Sequence, residues 1–131
     1  MATERKPLTC IIVDDEMPCH NLLRPLVKAE KNLRLVASCF NAFEAIEAIL
    51  QRQPHLVFLD VNMPSMTGIE MLEQIPDVNF AAVVVTAYPR HQVETKDPRI
   101  KGFLDKPVSA ERFQRLIKRL VNHDGTGERK Q

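Results

Sequence analysis

The hydrophobic positions of this chain switch regularly between two spacings. Five short, nearly continuous apolar runs are typical of strands that are buried on both faces. They cover residues 8–13, 33–40, 55–59, 81–85 and 100–104. Between and after them, apolar residues recur at i, i+3, i+4 and i+7, which predicts amphipathic helices. This repeated strand–helix alternation predicts an α/β domain, a parallel sheet with right-handed crossovers and helices on both faces.

The ends of the predicted helices are marked by capping residues. Asn41, Thr67 and Ser109 each precede a helical pattern, and their side-chain oxygens can accept hydrogen bonds from free backbone N–H groups. Pro25 lies inside the first helical pattern and is expected to kink or shorten that helix. The connection at residues 87–99 has a weak apolar stripe and prolines near both ends, so it is the least helical of the connections.

Composition and charge describe an ordinary globular domain. The chain has 131 residues, of which 44% are hydrophobic and 27% charged, and its net charge is +1. This balance favours binding neither to nucleic acid nor to a membrane surface. No apolar run is long enough to span a bilayer, and the polar N-terminus lacks the apolar region of a signal peptide. We therefore expect a cytoplasmic protein with one domain at residues 8–122 and a flexible tail or truncated linker at 123–131.

The cysteines and histidines show no metal-binding pattern. The residues are Cys10, Cys19 and Cys39, and His20, His55, His91 and His123. The cysteines are odd in number and have no C-x-x-C spacing, so we expect buried, reduced thiols. The histidines share no spacing, so we expect them to be at the surface or hydrogen-bonded inside the protein.

Polar residues of complementary charge follow four of the five predicted strands. Asp14 and Asp15 follow the first strand, Asp60 the third, Thr86 the fourth and Lys106 the fifth. The carboxyl ends of parallel strands share one edge, and ligands bind there at the point where the strand order reverses. With the common order 2-1-3-4-5, the three carboxylates converge at that point. Like charges this close need counter-charges, which Lys106 and a hard divalent ion bound by oxygens can supply.

Each of these residues taken singly is a weak signal. Adjacent aspartates after a strand are commonly a turn or a helix cap, and a lysine in a loop is commonly a solvated charge. The coincidence favours a functional site, because five residues of complementary chemistry occupy four strand ends on the same predicted edge.

Together these motifs resemble the receiver domains of two-component response regulators. The matching segments are Ile12-Val13-Asp14-Asp15-Glu16, Leu59-Asp60-Val61-Asn62-Met63-Pro64 with the structural Gly68, Thr86-Ala87, and Phe103-Leu104-Asp105-Lys106-Pro107. The resemblance covers roughly residues 8–122 and implies a doubly wound, flavodoxin-like receiver fold with strand order 2-1-3-4-5. The short distance between Thr86 and Lys106, and the run Thr86-Ala87-Tyr88, are most similar to receivers of LytTR-type transcription regulators.

The resemblance implies a role for each charged residue of the site. Asp60 accepts a phosphoryl group from a sensor histidine kinase or a phosphotransfer protein. Asp15 and Asp60 coordinate Mg²⁺ or Mn²⁺ directly, with the backbone carbonyl of Asn62, and Asp14 acts mainly through a metal-bound water. Lys106 and the metal neutralise the phosphoryl oxygens. The resemblance thus implies a phosphoacceptor switch that catalyses only its own phosphotransfer and dephosphorylation. It does not imply an enzyme that acts on a separate substrate.

The resemblance also implies a conformational switch. The Thr86 hydroxyl moves to a phosphoryl oxygen, and Phe103 rotates into the vacated space. The surface of the fourth helix, fifth strand and fifth helix then changes and controls an output domain or partner. The resemblance implies a cis peptide bond before Pro107. It also implies that Asn62 and Tyr88 occupy positions that tune the rate of dephosphorylation. The last helix has a basic face, formed by Arg112, Arg115, Lys118 and Arg119. This face could contact acidic residues of a second copy in a homodimer, or it could simply be solvated.

Three other hypotheses about the class of protein compete with the receiver domain. Haloacid-dehalogenase-type phosphatases also combine Asp, Thr, Lys and Mg²⁺, but they need a longer chain and D-x-D after the first strand, where this chain has Asp14-Asp15. A flavodoxin-like FMN binder needs a Gly/Ser/Thr-rich loop after the first strand, which is missing. A degenerate receiver that acts purely as an interaction module fits poorly, because all five site residues are present.

Overall fold

The computed structural model describes residues 6–89, 93 and 95–126, with side chains through Asn122. The strands are β1 (Leu8–Val13), β2 (Leu33–Cys39), β3 (Leu56–Asp60), β4 (Ala81–Thr86) and β5 (Ile100–Asp105). The helices are α1 (Met17–Ala29), α2 (Ala42–Arg52), α3 (Gly68–Gln74) and α4 (Ala110–Thr126). The five strands that the apolar runs predicted are all present.

The five strands form one parallel sheet in the order β2-β1-β3-β4-β5. This confirms the predicted doubly wound fold and its strand order. The order reverses between β1 and β3, where Val13 pairs with Leu59 at the carboxyl end of both strands. The residues that follow these two positions, Asp14 and Asp60, are therefore neighbours at the edge where ligands bind in such sheets.

The core lies in two layers, one on each face of the sheet. Alternate residues of β1 point to opposite faces, so Cys10 and Ile12 pack with α1 and α4, whereas Ile11 and Val13 pack with α2 and α3. In the first layer the rings of Phe58 and Phe113 stack at 5.5 Å. The first layer also contains Leu23, Val27 and Ile117, and the second contains Ile49, Met71 and Leu72.

The predicted helix caps are confirmed. The Asn41 side chain accepts a hydrogen bond from the Glu44 N–H at 2.8 Å. Thr67 accepts from the Glu70 N–H while the Glu70 carboxylate accepts from the Thr67 N–H, which makes a reciprocal capping box. The hydroxyl of Ser109 accepts from the N–H three residues further on, at 3.3 Å.

Two helices extend through residues where the sequence predicted a kink, a shortening or a tail. The first helix is not shortened at Pro25, since α1 is continuous from Met17 to Ala29. Pro25 and Asn21 both face solvent, so water can bond the Asn21 carbonyl that receives no N–H from proline. The last helix continues to Thr126, so the first four residues of the predicted 123–131 tail are helical, and 127–131 lie outside the described residues.

The connection between β4 and β5 differs from the other three crossovers. The described positions of 87–99 contain no helix, and positions 90–92 and 94 lie outside the described residues. The prediction that this connection is the least helical agrees with the part that is described. Across the described residues, no helix combines the length and hydrophobicity that crossing a membrane requires.

The three cysteines are buried and form no disulfide, as predicted. Burial raises the thiol pKa of Cys10 and Cys19 to about 12 and that of Cys39 to about 11. These thiols are therefore protonated at neutral pH and are poor nucleophiles and poor metal ligands.

Candidate functional site

The predicted site residues meet at the carboxyl edge of the sheet. Asp14 directly follows β1, Asp60 ends β3, Thr86 ends β4, and Lys106 directly follows β5. Asp14, Asp60 and Thr86 are at most 4% exposed, although each carries a polar side chain. Buried polar groups of this kind need partners, and the site supplies them from the other strand ends.

Three carboxylates form a compact cluster. One oxygen from each of Asp14, Asp15 and Asp60 lies within 4.8 Å of the other two, and Asp15 is the most exposed of the three. Carboxylate oxygens at this spacing fit a hard divalent cation such as Mg²⁺ or Mn²⁺. The backbone N–H of Asn62 donates to Asp60 Oδ1 at 3.2 Å, which places Asn62 directly beside the cluster.

Lys106 connects the cluster to the last strand. Its ammonium nitrogen lies 2.8 Å from Asp14 Oδ2 and 3.7 Å from Asp60 Oδ1. Its backbone N–H donates to the Thr86 carbonyl at 2.9 Å, which joins the ends of β4 and β5. The Lys106–Pro107 peptide bond is cis, as expected.

The charges of the cluster shift the pKa values of its members. Burial and the charge of Asp14 raise the pKa of Asp60 to about 6, although the Asn62 N–H and Lys106 act in the opposite direction. Burial acts to lower the pKa of Lys106, but the hydrogen bond to Asp14 and the charges of Asp60 and Asp14 outweigh it, so the pKa is raised. Lys106 is therefore charged at neutral pH, and a second cation near Asp60 would favour its ionised form.

Gly68 allows α3 to begin against the end of β3. A Cβ at this position would lie 2.5 Å from the Asp60 carbonyl oxygen and 2.9 Å from Leu59 Cγ. The Gly68 N–H donates to the Val61 carbonyl at 3.1 Å. The glycine therefore supports the backbone position of Asp60, which agrees with the structural role predicted for it.

Thr86, Tyr88 and Asn62 are linked beside the cluster. The Thr86 hydroxyl oxygen accepts a hydrogen bond from the Tyr88 N–H at 3.0 Å. The Asn62 side-chain amide donates to the Tyr88 hydroxyl at 3.2 Å. The residues two positions beyond Asp60 and Thr86 thus contact one another.

Phe103 lines a groove between β5 and α4. It is half-buried, and the groove has a volume of about 530 Å³. Three arginines of α4 line it: Arg112, Arg115 and Arg119. Arg112 approaches Asp105 at 3.4 Å, and Arg119 donates to the Lys101 carbonyl at 3.0 Å.

The role of α1 in the site was not predicted from the sequence. His20 is completely buried, and its Nε2 lies 2.8 Å from the backbone carbonyl oxygen of Asp14. Cys19 is buried, and a hydrogen bond to the Asp14 side chain adds to the burial that raises its pKa. The spacing of apolar residues could have predicted that His20 is buried. His20 precedes Leu23 by three residues and Val27 by seven, which places it on the apolar face of α1.

The other histidines are unrelated to the site or outside the described side chains. The His55 ring nitrogen Nδ1 accepts a hydrogen bond from the Thr9 N–H at 3.0 Å, at the opposite edge of the sheet. The side chains of His91 and His123 lie outside the part that is described.

The strand order and the carboxylate–lysine cluster at the switch point define a receiver-type α/β domain. Residues 10–118 match the family described as "Response regulator receiver domain". The chain belongs to this family of two-component signal transduction proteins. Its members are phosphoacceptor switches rather than classical enzymes, bind Mg²⁺ at an acidic pocket, and interact with histidine kinases or phosphotransfer proteins.

Individual relatives agree with this assignment. The chain is 35% identical over 114 residues to an uncharacterized response regulatory protein of Shewanella oneidensis, covering 86% of this chain and 48% of the relative. It is 38% identical over 114 residues to one of Yersinia pestis, with the same coverage of 86% and 48%. The REC domain of AraT, a response regulator from Geobacillus stearothermophilus, superimposes with a TM-score of 0.78 at 23% identity, covering 88% of this chain and 93% of that domain. The chain spans about half the length of the curated relatives it matches.

Proposed function

We propose that this domain accepts a phosphoryl group on Asp60 from a phosphohistidine of a sensor kinase or phosphotransfer protein. The observation that carries the proposal is the cluster of three carboxylate oxygens within 4.8 Å, with the Lys106 ammonium 3.7 Å from Asp60. Asp15, Asp60 and the Asn62 carbonyl would hold Mg²⁺ or Mn²⁺, and Asp14 would contact it mainly through a water. The bound cation would neutralise charge on the transferred phosphoryl group.

The transfer step exchanges one bond for another. The Asp60 carboxylate attacks phosphorus, an oxygen–phosphorus bond forms, the phosphorus–nitrogen bond of phosphohistidine breaks, and the electron pair stays on the imidazole. The Asn62 N–H and the Lys106 ammonium both approach Oδ1 of Asp60, so we assign Oδ2 as the attacking oxygen. A pKa of about 6 leaves this carboxyl mostly ionised at pH 7.5, and a bound cation increases the ionised fraction.

The switch would begin at Thr86. Its hydroxyl oxygen accepts from the Tyr88 N–H, so its own proton is available for a phosphoryl oxygen. Movement of Thr86 would give Phe103 space to rotate, which would change the groove between β5 and α4. Phosphorylation then shifts a population between two states because the phosphoryl oxygens make contacts in only one of them.

The output would act through the surface of β5, α4 and the described part of the connection between β4 and β5. This surface would contact an output domain, a partner or a second copy of the domain. Arg112 and Arg115 are largely exposed, with side chains 63% and 70% accessible, so they are available to acidic groups of such a partner.

The proposal is tested by intact mass measurement after incubation with Mg²⁺ and acetyl phosphate. We expect one phosphate adduct on the wild type, and none on Asp60→Asn or in a sample with a metal chelator. Asp105→Asn is the matched control, because Asp105 is also at a strand end but lies outside the carboxylate cluster. This variant should be labelled like the wild type. No adduct at any Mg²⁺ concentration, or an adduct on Asp60→Asn, would refute phosphorylation at Asp60.

A further inference from the structure

His20 stands out among the buried polar side chains of the described chain. Four polar or charged residues are buried there: Asp14, His20, Asp60 and Thr86. Three of the four belong to the phosphoacceptor site. His20 is 0% exposed, and the proposed phosphotransfer assigns no role to it.

The surroundings of His20 determine which ring nitrogen carries the proton. Nε2 lies 2.8 Å from the Asp14 carbonyl oxygen, and a carbonyl can only accept, so Nε2–H is the donor. Nδ1 has no hydrogen-bond partner among the described residues. The ring stacks on Phe40 with centroids 4.0 Å apart and planes at 24°. Nε2 of His20 therefore carries a proton and donates it to the Asp14 carbonyl.

The carbonyl that His20 binds belongs to the peptide unit between Asp14 and Asp15. Its orientation sets the direction in which the chain leaves β1, and thus where the Asp15 side chain points. On the other side of Asp14, the N–H donates to the Cys39 carbonyl at 3.0 Å. The two peptide units that flank Asp14 are therefore held by different elements, one by β2 and the other by α1.

We propose that His20 is a positioning residue for the divalent cation site. By holding the Asp14 carbonyl, it keeps the Asp14–Asp15 peptide in the orientation that directs both carboxylates toward Asp60. His20 itself contacts neither the cation nor the phosphoryl group. This inference rests on the proposed function in one respect, namely that the carboxylate cluster binds Mg²⁺. Groups one step behind the ligands commonly change metal affinity 10–100-fold.

Two substitutions separate positioning from packing. His20→Met has a similar volume but no donor, and it leaves the buried Asp14 carbonyl without its hydrogen bond. His20→Gln places an amide nitrogen at the same distance along the side chain as Nε2, so the donor is kept without an ionisable ring. Val27→Ala is the matched control, because Val27 is a fully buried residue of the same helix that packs in the core.

The test is the Mg²⁺ dissociation constant, measured by isothermal titration calorimetry without phosphodonor. We expect His20→Met to weaken binding about 10-fold, His20→Gln to stay within about 3-fold of the wild type, and Val27→Ala to bind normally. The Asp15 amide resonance in a ¹H–¹⁵N spectrum should shift in His20→Met, because that N–H belongs to the same peptide unit. Wild-type affinity in His20→Met, or equal losses in the Met and Gln variants, would overturn the inference.

A measurement on the wild type covers the case that His20→Met does not fold. Long-range ¹H–¹⁵N couplings of the imidazole should show a proton on Nε2, and an Nε2 without a proton would overturn the assignment. Absence of Mg²⁺ binding by the wild type would contradict the proposed function itself. Normal Mg²⁺ binding without phosphorylation would contradict only the phosphotransfer, and the role of His20 could still be measured.

Discussion

The ammonium nitrogen of Lys106 lies 2.8 Å from Asp14 Oδ2, although the two residues are 92 positions apart in the chain. Asp14 is 1% exposed, so this ion pair supplies a counter-charge to a carboxylate that water hardly reaches. Lys106 is further from Asp60, at 3.7 Å, and compensates it less. This difference agrees with the raised pKa of Asp60, which burial and the charge of Asp14 produce.

Lys106→Met should destabilise the protein. Removal of the ammonium leaves the buried Asp14 carboxylate without its cation, and we expect the free energy of unfolding to fall by about 1–3 kcal/mol. Urea denaturation measures the change. Arg115→Met is the control, because Arg115 pairs with Glu111 at 3.2 Å with both side chains largely exposed, and such pairs contribute about 0–1 kcal/mol. Equal midpoints for the two variants would contradict the assigned role of the ion pair.

Asp60→Asn should stabilise the metal-free protein near neutral pH. The pKa of Asp60 is raised from 3.8 to about 6 in the folded state. The folded protein therefore binds this proton more tightly than the unfolded chain, and the stabilising contribution is complete below about pH 4 and lost as pH rises through about 6. We expect Asp60→Asn to exceed the wild type by about 2–3 kcal/mol at pH 7.5, at about 1.4 kcal/mol per pKa unit, and by much less at pH 4.

Urea unfolding of both proteins at pH 4 and pH 7.5, with a chelator present, measures this difference. Carboxylates that do not interact with Asp60 contribute equally to both proteins and cancel. Addition of Mg²⁺ should stabilise the wild type more than Asp60→Asn. Mg²⁺ binds only the folded state, and its site has one carboxylate fewer in the variant. A difference between the proteins that does not change with pH would disprove the raised pKa.

Gly68→Ala should be much more harmful than Gly102→Ala. At position 68 the new methyl group meets the Asp60 backbone oxygen at 2.5 Å and Val61 Cα at 3.1 Å, and backbone cannot move away cheaply. At position 102 it meets Leu116 Cδ1 at 2.7 Å, the end of a side chain that can turn. We expect losses of about 3 kcal/mol and about 1 kcal/mol, respectively. Thermal unfolding compares them, and the reverse order would show that β3 and α3 separate easily.

Arg99→Lys should destabilise the end of α3. The guanidinium donates to the carbonyls of Leu72, Ile75 and Val78 at 2.6–2.8 Å, pairs with Asp97, and lies over the Phe80 ring at 5.1 Å. A lysine ammonium cannot reproduce the planar set of hydrogen bonds that the guanidinium makes, so carbonyls at the end of α3 would lose their donors. We expect the free energy of unfolding to fall by about 2 kcal/mol. The pKa of Asp97, which hydrogen bonds from Arg99 hold below its usual range, should rise.

Urea unfolding and an NMR pH titration of Asp97 provide the two readouts. Arg52→Lys, at an exposed position in the last turn of α2, serves as the control and should leave both unchanged. An unaltered Asp97 pKa in Arg99→Lys would mean that the Asp97–Arg99 hydrogen bonds do not form in solution.

Phosphorylation should change the fluorescence of Tyr88. The chain has one tyrosine and no tryptophan, so the signal comes from a residue whose N–H is bonded to the Thr86 hydroxyl. If Thr86 moves toward a phosphoryl oxygen, this bond is lost and the surroundings of Tyr88 change. Thr86→Ala should be phosphorylated by mass but lose most of the fluorescence change, whereas Thr86→Ser should keep it. An unchanged response in Thr86→Ala would exclude Thr86 as the link.

Much of the fold could be predicted from local pattern. The apolar runs indicated all five strands because buried parallel strands are short and apolar on both faces. Asn41 and Thr67 were correct as caps because capping depends on a few adjacent residues. The conformation of the connection at 87–99 was harder to predict. Its apolar pattern is weak, so its conformation depends on tertiary contacts as well as on the local sequence.

The site was predictable where its chemistry lies at strand ends and unpredictable where it depends on helix packing. Asp14, Asp60, Thr86 and Lys106 could be identified from their residue types and positions after the strands. The contact of His20 with Asp14 depends on how α1 rotates against the sheet, a property that a stripe of apolar residues defines only roughly.

The linear order of residues was enough to establish the alternation of strands and helices, the helix caps and the four strand ends that carry polar chemistry, because these depend on neighbours along the chain. Only the folded arrangement established that Lys106 is closer to Asp14 than to Asp60, that Arg99 binds the end of α3, and that His20 holds the Asp14 carbonyl. Each of these contacts joins different elements. Their distances depend on packing across the whole sheet, which no short segment of the chain specifies.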